Sequence, residues 1–250
     1  MNYGRQRMTG KIDSLARTSL TFKDAVLADS SPAGLWLLNE TNLSGVNVWQ
    51  DTSGNFRHAI DQTDTNNPTP TQTNLAGDLS SCAVFDGVND RIAVAHNSAF
   101  NASMVSVEAW VKATASLYIL SRYDNYASFS VNSFNTWING TGTGITRYSG
   151  GNSTTYTSNT VINNGQWHHV VWTYQSGVGG YILYVDGILV DQQTTSGTIN
   201  SSSYPLVIGT GYQGGTHTVF YPGSLSGVAY YPGIILNQIQ VSSHYNASRP

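Results

Sequence analysis

Hydrolysis of a glycosidic bond needs two carboxyl groups held roughly 5–10 Å apart, one to give a proton and one to attack or to activate water. The 250-residue chain has only two glutamates, Glu40 and Glu108. Glu108 sits in Val105-Ser-Val-Glu-Ala-Trp-Val111, whose period-two alternation marks a strand. Ser106 and Trp110 share its face, and position 112 is a lysine, so no second carboxylate stands at strand spacing. Glu40 lies on another element, also without an acidic partner. Glu108 therefore reads as a structural acceptor beside Trp110. Nucleophile motifs are absent too: no Gly-x-Ser-x-Gly occurs, and the single cysteine, Cys82, reads as a small buried apolar residue. His168 and His169 are adjacent, so on a strand they point to opposite faces and cannot share a metal. Each reads as a hydrogen-bonded structural histidine. His58, His96, His217 and His244 are dispersed, with no zinc spacing. No enzyme is expected.

The elements that carry these residues follow from composition and periodicity. Charged residues are 10% of the chain, against roughly a quarter in an average soluble protein, and Ser, Thr, Asn, Gly and Tyr fill the difference. That mix suits strands and tight turns and disfavours surface helices. A helical turn is expected only around Phe22–Ala28, stopped by Asp29-Ser-Ser-Pro32. Strands are expected at Leu35–Leu38, Ala83–Phe85, Arg91–Val94, Val105–Val111, Tyr118–Arg122, Ala127–Val131, Thr136–Asn139, Trp167–Tyr174, Tyr181–Val185, Ile188–Asp191, Pro205–Gly209 and Leu225–Tyr231. Asp186-Gly187 is a two-residue hairpin signal. Residues 61–80 read as a loop with at most a short strand, and Gly140–Asn159 as weaker edges. Short strands at this spacing predict an all-β fold, a closed sandwich or jelly roll, as one domain over residues 26–250.

Residues 1–25 read as a basic N-terminal arm. The formal net charge is −3, which gives the chain no nucleic-acid signature, yet Arg5, Arg7, Lys11, Arg17 and Lys23 crowd into its first 23 residues. They form either a solvated tail or a partner-docking segment. No apolar run of about 7–15 residues marks a signal peptide, and none approaches the roughly 20 of a membrane span. Synthesis in a reducing cytosol and no membrane partner are expected.

Seven motifs in order carry a family resemblance: Ala28–Glu40, Asp51-Thr-Ser-Gly-Asn55, Phe85-Asp-Gly-Val-Asn-Asp-Arg-Ile92, Ser106–Lys112, Gln166-Trp-His-His-Val170, Leu183-Tyr-Val-Asp-Gly187 and Phe220–Tyr230. Over about residues 26–248 the chain resembles the laminin-G-like branch of the concanavalin A-like lectin/glucanase superfamily. The resemblance implies a jelly-roll sandwich of two antiparallel sheets, one concave and one convex. It also implies a calcium site in the matching loops, at Asp51, Asp86, Asn89 and Asp90, although Asp51 and Asp86 also suit simple turn capping. Glycan binding would use exposed loop aromatics, for which Tyr123, Tyr126, Trp137, Tyr148, Tyr156 and Tyr212 are the candidates. Trp36, Trp110, Trp167 and Trp172 lie in strand motifs and are assigned to the core. Two function classes remain. One is a phage virion component (head decoration or tail adhesion), made in the host cytoplasm, present in many copies and docked on other virion proteins by its arm. The other is a free carbohydrate-binding module at a bacterial surface or secreted, with surface glycans as partners.

Overall fold

The computed structural model describes residues 20–40, 47–61, 67–122, 133–213 and 216–250. Two large sheets lie face to face, every strand pairing antiparallel. The first, sheet A, runs β14 (Ile188–Thr195), β13 (Gly177–Val185), β12 (Trp167–Tyr174), β7 (Val105–Ala113), β18 (Pro222–Pro232), β5 (Ser81–Asp86) and β4 (Thr69–Gln72), with β1 (Gly34–Trp36) added onto β18. The second, sheet B, runs β11 (Asn152–Ser158), β10 (Gly142–Ser149), β9 (Phe134–Asn139), β8 (Leu117–Arg122), β15 (Leu206–Ile208), β6 (Ile92–Val94), β3 (Ala59–Asp61) and β2 (Val48–Trp49). A hairpin of β16 (Thr210–Gln213) and β17 (Thr216–Phe220) flanks β8. The expected jelly-roll sandwich is the observed fold.

Alternation along each strand builds the main core. Val105, Val107, Ala109 and Val111 of β7 face inward with Val170, Trp172 and Tyr174 of β12, and meet Phe134, Ile138 and Ile145 of sheet B. The Asp186-Gly187 turn joins β13 to β14 as expected, both residues having positive φ (51° and 77°), the geometry of a two-residue hairpin. Gly140–Asn159 is more regular than its composition implied. β10 and β11 pair over seven consecutive positions, from Thr143↔Ser158 to Ser149↔Asn152. Residues 61–80 hold β4 and a 3₁₀ turn, Gly77–Leu79. The Ala127–Val131 expectation lies outside the described residues.

A second core covers the other face of sheet A. Helix α1 (Phe22–Asp29) and helix α2 (Gln238–Ser248) pack there with Leu75 and Leu79 over Leu35, Leu37, Trp110, Val171, Tyr184, Ala229 and Tyr231. This explains why Ser106, Glu108 and Trp110 are buried although they face away from the sandwich interior. The α2 helix was not expected, since Gln-Ile-Gln-Val-Ser-Ser-His-Tyr-Asn-Ala-Ser has no clear apolar stripe. It is set by its cap: Asn237 accepts from the Ile239 and Gln240 N–H groups, and the Gln240 side chain accepts from Asn237 N–H.

Helix α1 matches its expected position, but the folded body reaches further toward the N-terminus than residue 26. Thr21 caps α1 by accepting from Asp24 N–H, and the Asp78 carboxylate accepts from the N–H groups of Phe22 and Lys23. Lys23, assigned to the arm, therefore lies in the first turn of a helix of the body. Phe22 is fully buried, and Gly227 (φ 55°) lets β18 pass beneath it, since a Cβ there would stand 2.8 Å from its ring. Arg5, Arg7, Lys11 and Arg17 lie outside the described residues. Deleting residues 1–19 should leave the unfolding midpoint unchanged, whereas Phe22→Ala should cost about 3–5 kcal/mol, as read by chemical denaturation.

Candidate functional site

Two constellations have chemical potential. The first surrounds Glu108. His169 Nε2 donates to Glu108 Oε1 at 2.7 Å, His244 Nδ1 donates at 3.0 Å to the same oxygen, and the Tyr231 hydroxyl donates to Oε2 at 2.5 Å. Asp29 Oδ2 lies 3.7 Å from His244 Nε2. Phe22 meets both imidazoles edge-on, and Tyr245 stacks on Trp110 at 5.7 Å. Trp110 Nε1 donates to Ser248 Oγ on α2. Glu108, His169, Tyr231 and His244 have no exposed surface. Burial acts to raise the Glu108 pKa, but the charge of His244 and the hydrogen bonds from both histidines outweigh it and hold the carboxyl well below its ordinary range. Burial likewise opposes protonation of His244, and the Glu108 and Asp29 carboxylates overcome it, so its pKa is raised. A general acid at neutral pH needs a raised carboxyl pKa and access to substrate. Glu108 has neither, and serves as the structural acceptor expected of it, with three donors rather than one neighbour. His168, on the opposite face of β12 from His169, bonds Asp186 at 2.8 Å.

In the loops assigned to calcium, the carboxylates of Asp51, Asp86 and Asp90 accept hydrogen bonds from backbone N–H groups. Asp51 is buried, with Oδ1 accepting from the N–H groups of Leu35 and Ser53 and Oδ2 from that of Arg57. Donors converging on both oxygens are the reverse of what a cation requires. Asp86 accepts from the N–H groups of Val88 and Asn89, and Asp90 accepts from Asp86 N–H. Among the described residues, no three His, Cys, Asp or Glu side chains converge on one point. The capping role of Asp51 and Asp86, also open from sequence, matches these bonds.

The second constellation is a groove of about 420 Å³ on the outward face of sheet B. Period two along three successive strands builds it. Asn135, Trp137 and Asn139 of β9 face out while Phe134 and Ile138 enter the core. Thr146 and Tyr148 of β10 and Ser153 and Thr155 of β11 continue the surface, and Tyr118, Ser116 and Val219 complete it. Registers align them in rows: Tyr118 opposite Trp137 opposite Gly144, Asn135 opposite Thr146 opposite Thr155, and Tyr148 opposite Ser153. Trp137 lies close over Gly144, where a Cβ would stand 2.8 Å from the indole. The Asn135 amide donates to the Tyr148 hydroxyl at 3.2 Å, and its carbonyl oxygen has no donor. The Thr146 and Thr155 hydroxyls bond each other at 3.0 Å.

Of the six aromatic candidates, the structure brings Trp137 and Tyr148 together in this groove, on strands rather than loops. Tyr148 is nearly buried in the groove wall. Tyr156 is not exposed: it turns into the core, stacks on Tyr181 at 6.1 Å, and accepts from Ser196 N–H. It falls on the inward phase of β11, opposite to Thr155. Tyr212 lies on β16, its side chain outside the described residues, as are Tyr123 and Tyr126. Tyr118, Asn135 and the Thr146–Thr155 pair were missed. The outward phase of three consecutive strands was the available signal. Trp36, Trp110 and Trp172 are buried as assigned, while Trp167 is half-buried at the margin of the second core.

Two facing antiparallel sheets, one roofed by helices and the other presenting an aromatic groove, define a lectin-like jelly roll. The chain belongs to the concanavalin A-like lectin/glucanases superfamily, a laminin-G family model of which matches residues 86–242. No curated protein matches the chain. Among solved structures it is similar to domain 4 of the extracellular GH43 arabinanase AbnA from Geobacillus stearothermophilus, in complex with arabinotriose (17% identity, TM-score 0.57, 86% of this chain and 98% of that one). It is also similar to the botulinum neurotoxin type G receptor binding domain (16% identity, TM-score 0.59, 86% and 51%) and to Trypanosoma rangeli sialidase (14% identity, TM-score 0.55, 86% and 32%). The chain thus spans nearly all of the first, half of the second and a third of the last. These likenesses establish a shared fold.

The Glu108 cluster fixes the pH dependence of stability. His244 has a raised folded pKa, so its contribution is complete below the ordinary 6.5 and is lost as pH rises through the folded value. Glu108 has a depressed folded pKa, so its contribution is complete above the ordinary 4.5 and is lost as pH falls. Melting temperature should therefore peak between about pH 4.5 and 6.5, and His244→Gln should flatten the alkaline side. Glu108→Gln should cost about 3–5 kcal/mol, as expected when one partner of a buried ion pair is removed.

Proposed function

We propose that this domain is a non-catalytic glycan-binding module whose ligand lies in the sheet B groove. The observation that carries the reading is the half-buried Trp137, flanked by Tyr118 and Tyr148 and bordered by rows of amides and hydroxyls. An indole face takes the apolar face of a sugar ring, while Asn and Thr side chains both donate to and accept from sugar hydroxyls. Family membership and the arabinotriose held by the arabinanase domain agree with this use of the fold. Catalysis is disfavoured because Glu108, the only glutamate on the strands of sheet A, is sealed beneath the helices.

The setting we favour is display on a virion, docked through residues 1–19 and their basic side chains. Supporting it are the crowding of Arg5, Arg7, Lys11 and Arg17 upstream of α1 and a body poor in charge. Replacing those four residues by Ser should abolish incorporation into the parent particle without altering the melting temperature. If incorporation is unaffected, a free lectin-like module at a bacterial surface is the better account. The groove itself is tested by Trp137→Ala, which should weaken binding on a glycan array or in calorimetry by about 2 kcal/mol, roughly 30-fold, with the fold intact. Binding unchanged in that variant would remove the groove from consideration.

A further inference from the structure

We infer that the groove takes an uncharged oligosaccharide and rejects sugars bearing carboxylate or sulfate groups; this rests on the glycan-binding reading above. The chain has eleven Lys and Arg and fourteen Asp and Glu, yet none lines the groove among the described residues. The groove's four strands, β8 to β11, contain two charged residues, Arg122 and Arg147, and both turn away from it. Arg122 is fully buried and donates to the Tyr204 carbonyl and to Asn101 Oδ1. Arg147 sits on the inward phase of β10, between the outward Thr146 and Tyr148, with its guanidinium against Gly197.

Among the described residues, the groove therefore offers a ligand accessible groups that are neutral and can both give and take hydrogen bonds: the Asn139 amide and the Thr146, Ser153 and Thr155 hydroxyls. A sugar hydroxyl is matched by such groups in either direction. A carboxylate or sulfate accepts only, carries full charge, and would leave water for a surface on which the described residues place no cation to receive it. Discrimination comes from that missing partner, while Trp137 supplies attraction that is indifferent to charge.

The test is titration calorimetry of the full chain with arabinotriose, cellotriose and two matched pairs: lactose with 3′-sialyllactose, and galactotriose with trigalacturonate. We expect binding of at least one neutral sugar, binding at least about tenfold weaker for its acidic counterpart, and loss of both in Trp137→Ala. Thr155→Lys, at an exposed position on the groove rim, should restore binding of the acidic member. Acidic sugars bound as well as or better than neutral ones, with the same dependence on Trp137, would overturn the inference while leaving a glycan-binding groove. No binding of any of these sugars would count against the glycan reading itself, and the inference would fall with it.

Discussion

The structure depends on one buried carboxylate. Glu108 lies at the centre of sheet A on the face turned away from the sandwich interior. Donors from β12, β18 and α2 converge on it, through His169, Tyr231 and His244. A charge buried this completely is tolerable only when its partners stay in place. The consequence is positional: α2 must remain docked, and it brings Tyr245 onto Trp110 and Ser248 under the indole N–H. α1 closes the other side, with Phe22 against both imidazoles and Asp29 near His244.

That arrangement divides labour between the sheets. Sheet A is covered on both faces along its central strands β12, β7 and β18, so their sequence motifs serve the two cores. Sheet B is open on its outward face around β9 to β11, and there it carries the groove. The same period-two rule acts in both sheets. In sheet A both phases of β7 are apolar or hydrogen-bonded because both are buried. In sheet B, β9 alternates Phe134, Thr136 and Ile138 inside with Asn135, Trp137 and Asn139 outside, the pattern of a sheet with one wet face.

Much of the fold was legible in the sequence because strand alternation and turn chemistry are local. The β7 phase and the opposed His168 and His169 follow from periodicity, and the Asp186-Gly187 hairpin from turn chemistry. Structure that depends on distant contacts was not. The α2 helix lacks an apolar stripe, and its only local sign is the Asn237–Gln240 capping box. Phe22 reads as part of an arm until the second core is seen to need it. The groove was half legible. Trp137 and Tyr148 stand out in the sequence as aromatics, while the inward turn of Tyr156 depends on the phase of β11, which its Ser- and Thr-rich sequence does not mark. Asn135, Thr146 and Thr155 are ordinary residues until strand register sets them side by side.

The partners of Glu108 are also far apart along the chain: 61 residues separate it from His169, 123 from Tyr231 and 136 from His244. Synthesis is vectorial, so the outer face of sheet A stays uncovered until α2, downstream of every strand, has left the ribosome. At about 5–20 residues per second, Trp110 and its neighbours spend several seconds as exposed apolar surface beside an uncompensated carboxylate. Contacts of such long sequence separation form late because loop closure must precede them. The nascent chain is therefore most vulnerable to aggregation and to chaperone capture in the interval between completion of β7 and arrival of the last helix.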